Sequence, residues 1–355
     1  MRHIRQIDGE DHTVIMVQVE NETGILGAPR DHCSLAEAAF AAPVPAELTH
    51  YLQAHLEALV PELRAAWDAS TTHSGAWAQV FGSIADEAFM AWQIGRYVDA
   101  VTAAGQAEYA LPMYANAWLV QHEFQSPGQY PSGGPVSRML NIWQSAAPHI
   151  NLCAPDIYLP DFAGLCKSYT QAGNALFIPE AHHDETAGAH GFYAVGQYDA
   201  LGFSPFGIES MNAAETEVYT EANRLLADMM PLLCAAQGTG NMVGVLQGDE
   251  LVSEVILGGY TLRIRFSRER APGRMPGAGL IIANAPDEFI VAGHGFGVDF
   301  SPLMGAESMV DFLWLYEGDY RQGQWIPGRR LNGDEYALRL PERASVQRAR
   351  VYRYE

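Results

Sequence analysis

The chain has 355 residues, with 42 acidic against 21 basic side chains and a formal net charge of −21. Hydrophobic residues make up 48% and charged ones 18%, which excludes a disordered chain and allows one large domain or two ordinary ones. The acidic balance excludes nucleic acid as a partner, since phosphate binding needs clustered Lys and Arg. No apolar window of about 18 residues occurs, so no membrane partner is expected, and the opening MRHIRQIDGEDHT has no apolar run of the signal-peptide kind.

The first element in chain order is Val14 to Val19, a short apolar run that reads as a strand buried on both faces. It ends abruptly in Glu20-Asn21-Glu22, as a strand does on entering a cleft or solvent. Helices are expected over Ala46 to Trp67, after Pro45, and over Ala85 to Ala104. The segment between them is loop-like. A strand at Pro112 to Leu119 precedes a Gly/Pro/Ser/Gln loop, Gln125 to Pro135, and a short helix near Val136 to Ala146. A third strand lies near Asn151 to Tyr158, interrupted by Pro155, and a helix covers Asp161 to Gly173. Strands Ala175 to Pro179 and Ala200 to Phe206 follow, then a strong helix from Thr216 to Gly238.

This alternation argues for parallel strands with helical crossovers. Strand ends that carry Glu22, Trp118, Tyr158 and Glu180 point to the C-terminal face of a barrel as the site. After about Gly240 helical periodicity stops. Short alternating runs between Gly/Pro turns take over: 243–246, 251–257, 260–267, 279–283, 288–292, 310–317, 335–340 and 345–354. They read as an all-β module, a sandwich. The expected domains are therefore 1–240, α/β, and 241–355, all-β, with the boundary at Gly238 to Asn241.

Glu22 and Glu180 end strands three apart, and in a parallel barrel both project into one mouth. Such a pair suits glycoside hydrolysis, where one carboxyl protonates the leaving oxygen and the other attacks or activates water. The null alternative for each is a strand cap or surface charge. Asn21 is placed to bond a sugar hydroxyl, and Trp118 and Tyr158 offer stacking surfaces. Asn116 either binds sugar or caps its strand, and His182 is a substrate-side polar group or a loop residue.

The eight residues Val17-Gln18-Val19-Glu20-Asn21-Glu22-Thr23-Gly24 resemble the acid/base motif of glycoside hydrolase family 35, the β-galactosidases, which reads VQVENEYG. Thr23 is the one departure. The resemblance implies that Glu22 is the acid/base, that Glu180 is the nucleophile, and that the reaction retains configuration on terminal β-galactosides or related β-glycosides. It also makes Val14 to Val19 the fourth strand of a (β/α)8-type barrel. The residues ahead of it are too few for three βα units, so the expectation is a barrel lacking its first three units, four to eight being present, followed by a C-terminal β-sandwich. Ala181-His182-His183 after the nucleophile, and a last strand without the Gly-Gly-Thr-Asn run, make the chain resemble a divergent bacterial branch of this clan.

Three readings stay open at this point: a glycosidase, a catalytically inactive carbohydrate-binding fragment of one, and an unrelated α/β scaffold with structural glutamates. No cofactor and no metal is expected, because His182-His183-Asp184-Glu185 are adjacent residues that seldom converge on one ion. The expected partner is an oligosaccharide or glycoside, and self-association into a homo-oligomer is compatible with the sequence. As written the chain reads as cytoplasmic, or as periplasmic or secreted if a preceding segment carries a leader. Cys33, Cys153, Cys166 and Cys234 lack metal spacing and read as buried free thiols. Gly293 to Gly297 lacks a following helix and reads as a turn. No GxSxG elbow follows a strand. The arginines at 263, 265, 268, 270 and 274 read as a solvated face.

Overall fold

The computed structural model describes residues 1–271, 273–303 and 309–355. It is a mixed α/β chain that divides into two compact units, Met1–Glu180 and Ala181–Glu355. Among the described residues no helix is long and apolar enough to cross a membrane.

Five strands follow one another in the first sheet in sequence order: β1 (Val17–Gln18), β2 (Met113–Trp118), β3 (Leu152–Ile157), β4 (Ile178–Ala181) and β5 (Phe203–Pro205). β1 runs parallel to β2, and β2 to β3. The division between the units falls inside β4, after Glu180. β3 is buried at all six positions, which is why it reads as an apolar run. Pro155 does not interrupt it: the residue pairs with Ala117 in the parallel ladder. β1 is shorter than the apolar run that suggests it, because the chain leaves the sheet at Val19, whose amide donates to the Tyr114 carbonyl at 2.8 Å.

The helical stretch of the first unit is more broken than its composition suggests. Ala46–Ala54 and Pro61–Ala69 are separate helices, the second opened by a proline at its first turn, where no amide hydrogen is required. The helix Ala85–Glu108 is continuous and buries Phe89, Met90, Trp92 and Val98. The loop-like segment before it holds one further short helix, Trp77–Phe81, whose Trp77 packs edge-on against Phe89.

The second unit is built on a six-stranded antiparallel sheet. Its strands are β6 (Met242–Leu246), β9 (Ala278–Ala285), β10 (Glu288–His294), β12 (Met309–Arg321), β13 (Gln324–Arg330) and β14 (Ser345–Tyr354), in the order β13-β12-β14-β10-β9-β6. A three-stranded sheet, β11-β8-β7, comprises β7 (Val252–Leu257), β8 (Tyr260–Phe266) and β11 (Phe296–Pro302). The two sheets share one core, in which Phe289, Val291, Ile281 and Leu315 meet Tyr260, Leu262, Ile264 and Phe296. Gly293 to Gly297 is the point where the chain passes from one sheet to the other, with Gly295 at φ +73°.

The other face of the larger sheet is covered too. Leu280, Ile282, Ile290 and Ala292 pack on Phe192, Leu225, Leu226, Met229 and Leu233 of the helices Ala187–Tyr198 and Ala213–Ala236. A sheet buried on both faces explains the run Leu280-Ile281-Ile282, whose members alternate between the two cores. Contact between helix and sheet is close at Gly244, where a Cβ would lie 2.7 Å from the Gln197 amide nitrogen. The helix Ala213–Ala236 starts with a capping box. The Asn212 side chain accepts from the amides of Ala214 and Glu215, and Glu215 accepts from the Asn212 amide. The change of sequence pattern at Gly238 to Asn241 thus marks the switch from helix to strand within this unit, while the compact units meet at 180/181.

All four cysteines are free; Cys153 and Cys166 are buried, whereas Cys33 and Cys234 are exposed. Arg263 and Arg265 alternate outward along β8, Arg265 pairs with Asp299, and Arg268 lies 3.4 Å from Glu342.

Candidate active site

The C-terminal ends of β1 to β4 carry a polar network within the first unit. Asn116, on β2, is its centre and is fully buried. Its Oδ1 accepts from the Glu22 amide at 3.0 Å. Its Nδ2 donates to Asp156 Oδ2 at 2.7 Å and to Asn21 Oδ1 at 3.1 Å. One amide therefore ties the end of β1 to the end of β3. Gln18 adds a second tie: its Nε2 donates to Asn21 Oδ1 at 2.9 Å, and its Oε1 accepts from the Tyr114 hydroxyl at 3.0 Å. With both donors on its oxygen, the exposed Asn21 keeps its NH2 group for another partner.

Glu20 and Glu22 adopt left-handed backbone, with φ +63° and +46°. Non-glycine residues held there cost of order 1–3 kcal/mol each and persist where surroundings over-determine them. The Asn116 bond to the Glu22 amide is such a determinant. It turns the Glu22 side chain back toward the strand ends rather than letting it continue along the pleat.

Glu22, Asp156 and Glu180 offer carboxylate oxygens that all lie within 4.8 Å of one another. Among the described residues no other group of acidic, His or Cys side chains is gathered so closely. Two donors already serve the trio, Asn116 Nδ2 on Asp156 and the Tyr158 hydroxyl on Glu180 Oε2 at 2.9 Å. Burial raises the Glu22 carboxyl, its interaction with the neighbouring Asp156 opposes the rise, and the Glu180 charge adds to it. Burial, then the charges of Glu180 and Glu22, push the Asp156 carboxyl up to about 8. Burial and the bond to Glu180 push the Tyr158 hydroxyl well up, so it remains a donor.

Glu22, Asp156 and Tyr158 line a cavity of about 320 Å³ with Trp118, Leu119 and Gln121. Trp118 is 42% exposed, which leaves its ring free for an apolar face of a ligand. Glu22, Glu180, Asn21, Asn116, Trp118 and Tyr158 thus all lie at the strand ends of one unit. His182 is exposed and belongs to the second unit. Sequence reasoning passed over Asp156, Gln18 and Tyr114. The signal for Asp156 was a lone carboxylate at the end of a wholly apolar strand, two residues from Tyr158 and so on the same face.

Residues 219–340 match the family model described as a domain of unknown function, DUF5597. The match lies wholly in the second unit, and it begins inside the helix Ala213–Ala236, which packs on the larger sheet. No curated protein matches the chain.

Proposed function

We propose that the first unit carries the catalytic centre of a retaining β-glycosidase, acting on terminal β-galactosides or related β-glycosides. The observation that carries this reading is the gathering of Glu22 and Glu180 at one set of strand ends, with a carboxylate oxygen of each within 4.8 Å of the other. Retaining enzymes hold their two carboxyl groups close together, about 5–5.5 Å apart. The five-stranded sheet then corresponds to strands four to eight of a (β/α)8 barrel, and the second unit's paired sheets to an accessory β-sandwich.

In this reading Glu180 attacks the anomeric carbon while Glu22 gives its proton to the departing oxygen. Glu22 next takes a proton from water, which releases the sugar from Glu180. Burial of Glu22 favours the protonated form that the first step requires. Tyr158 orients Glu180 through its hydroxyl. The free NH2 of Asn21 faces the hydroxyl next to the reacting carbon, Trp118 stacks on the ring, and Asn116 holds the network.

The test is hydrolysis of aryl β-galactosides by the chain and two variants. Glu180→Gln abolishes turnover. Glu22→Gln lowers activity on unactivated substrates by about 10²–10⁴-fold but spares the first step on activated aryl groups, which leave without a proton. Equal loss on both substrate types would remove Glu22 from the acid role. A second reading, carbohydrate binding without turnover, draws on one observation: the sheet has five strands where a closed barrel has eight. Binding of a substrate analogue by folded protein that releases no product supports it.

A further inference from the structure

The third carboxyl of the trio has no place in the two-glutamate scheme. Asp156 is only 3% exposed. Its Oδ2 accepts from Asn116, whereas its Oδ1 is buried and has no hydrogen-bond donor. An ionised carboxylate with a bare buried oxygen, facing two more carboxylates, is the least favourable state such a group can adopt. A proton on Oδ1 removes the difficulty. It neutralises the most buried member of the trio and turns the bare acceptor into a donor beside Glu22, whose carboxylate oxygen lies within 4.8 Å.

We infer that Asp156 is a positioning residue that stores the proton used by Glu22, the two neighbouring carboxyls of the trio sharing it. The inference rests on the glycosidase reading for its use, but not for its chemistry. The groups facing Asp156 are Glu22 from the end of β1, Tyr114 and Asn116 from β2, Tyr158 beyond β3, Glu180 from β4, and Tyr169 from the helix Phe162–Tyr169. None of these is a cation, so nothing among them favours the ionised form by charge.

The proton count closes over a full cycle. As the glycosidic C–O bond breaks, its oxygen takes the Glu22 proton and a Glu180 oxygen bonds to the anomeric carbon. The pair is then without its shared proton, and Glu180, now bonded to the sugar, no longer carries the charge that faced it. When water attacks the anomeric carbon, the C–O bond to Glu180 breaks, the water proton passes to Glu22, and Asp156 regains its share. The acid form of the pair therefore persists to higher pH than either carboxyl would hold it alone.

The decisive measurement is infrared difference spectroscopy on the full chain, titrated through neutral to alkaline pH. The wild type shows a protonated carboxyl stretch that disappears near pH 8. In Asp156→Asn, which keeps the shape and a hydrogen-bond donor, the stretch that persists toward pH 8 is lost and any remaining protonated carboxyl band disappears at lower pH. If Asp156→Asn fails to fold, Glu22→Gln serves instead, because loss of the Glu22 charge moves the band's disappearance to lower pH. Kinetics gives the second readout: in Asp156→Asn the alkaline limb of kcat/KM moves down by about one unit or more on unactivated substrates. A wild type with no titrating carboxyl band, or a band unchanged in Asp156→Asn, overturns the inference even in an active glycosidase. A chain with the band but no hydrolysis overturns the glycosidase reading and leaves the proton on Asp156.

Discussion

The two units place their polar groups by opposite rules. In the first, three carboxyls converge at buried strand ends and two residues sit in left-handed backbone to bring them there. In the second, the sheets carry apolar residues on both faces of β9 and β10, and charged residues such as Arg263 and Arg265 alternate outward. The lesson is where each unit is strained. The first concentrates unfavourable electrostatics at one point, as sites that do chemistry commonly do. The second spreads its stabilisation over two cores and has no comparable cluster among its described residues.

The comparison is broken most sharply by truncating a residue in each region. Ile281→Ala, in the core between the sheets, is expected to cost 2–5 kcal/mol in denaturant unfolding of the second unit, as roughly found for buried large-to-small changes. Glu180→Gln, by contrast, is expected to leave stability unchanged or raise it, since it relieves like-charge crowding.

The pH dependence sharpens the contrast, because the two units respond with opposite sign. Asp156 is raised to about 8, so between its ordinary unfolded value and pH 8 the folded state binds the extra proton. That contribution to stability is present at acid pH and is lost as pH rises toward 8. His190 and His294 in the second unit are lowered by burial to about 4. The unfolded state binds those protons first, so stability falls as pH drops from about 6.5 toward 4. Hydrogen exchange followed peptide by peptide should show protection of the first unit's strand ends weakening toward pH 8 and that of the second unit's sheets weakening toward pH 4. Parallel trends in both units would remove the contrast.

The smallest expected effect concerns local structure alone. Asn212→Ala removes both cap bonds of the helix Ala213–Ala236 and should cost about 1 kcal/mol, read as a shift of the unfolding midpoint with unchanged slope.

The sequence by itself determined the polar end of the first strand, the position of Glu180 at the end of another, and the alternating strands after residue 240. These are local signals, since period and chain order suffice to read them. It also carried the resemblance at 17–24. Tertiary structure alone decided that Asp156 joins the two glutamates, because convergence of strand ends depends on the register of β2 against β3 and on the bonds of Asn116. It alone decided that the helices Ala187–Tyr198 and Ala213–Ala236 pack on the β sheets that follow them. A helix's apolar stripe shows that it must be covered but not by which partner, and that choice is made by long-range packing.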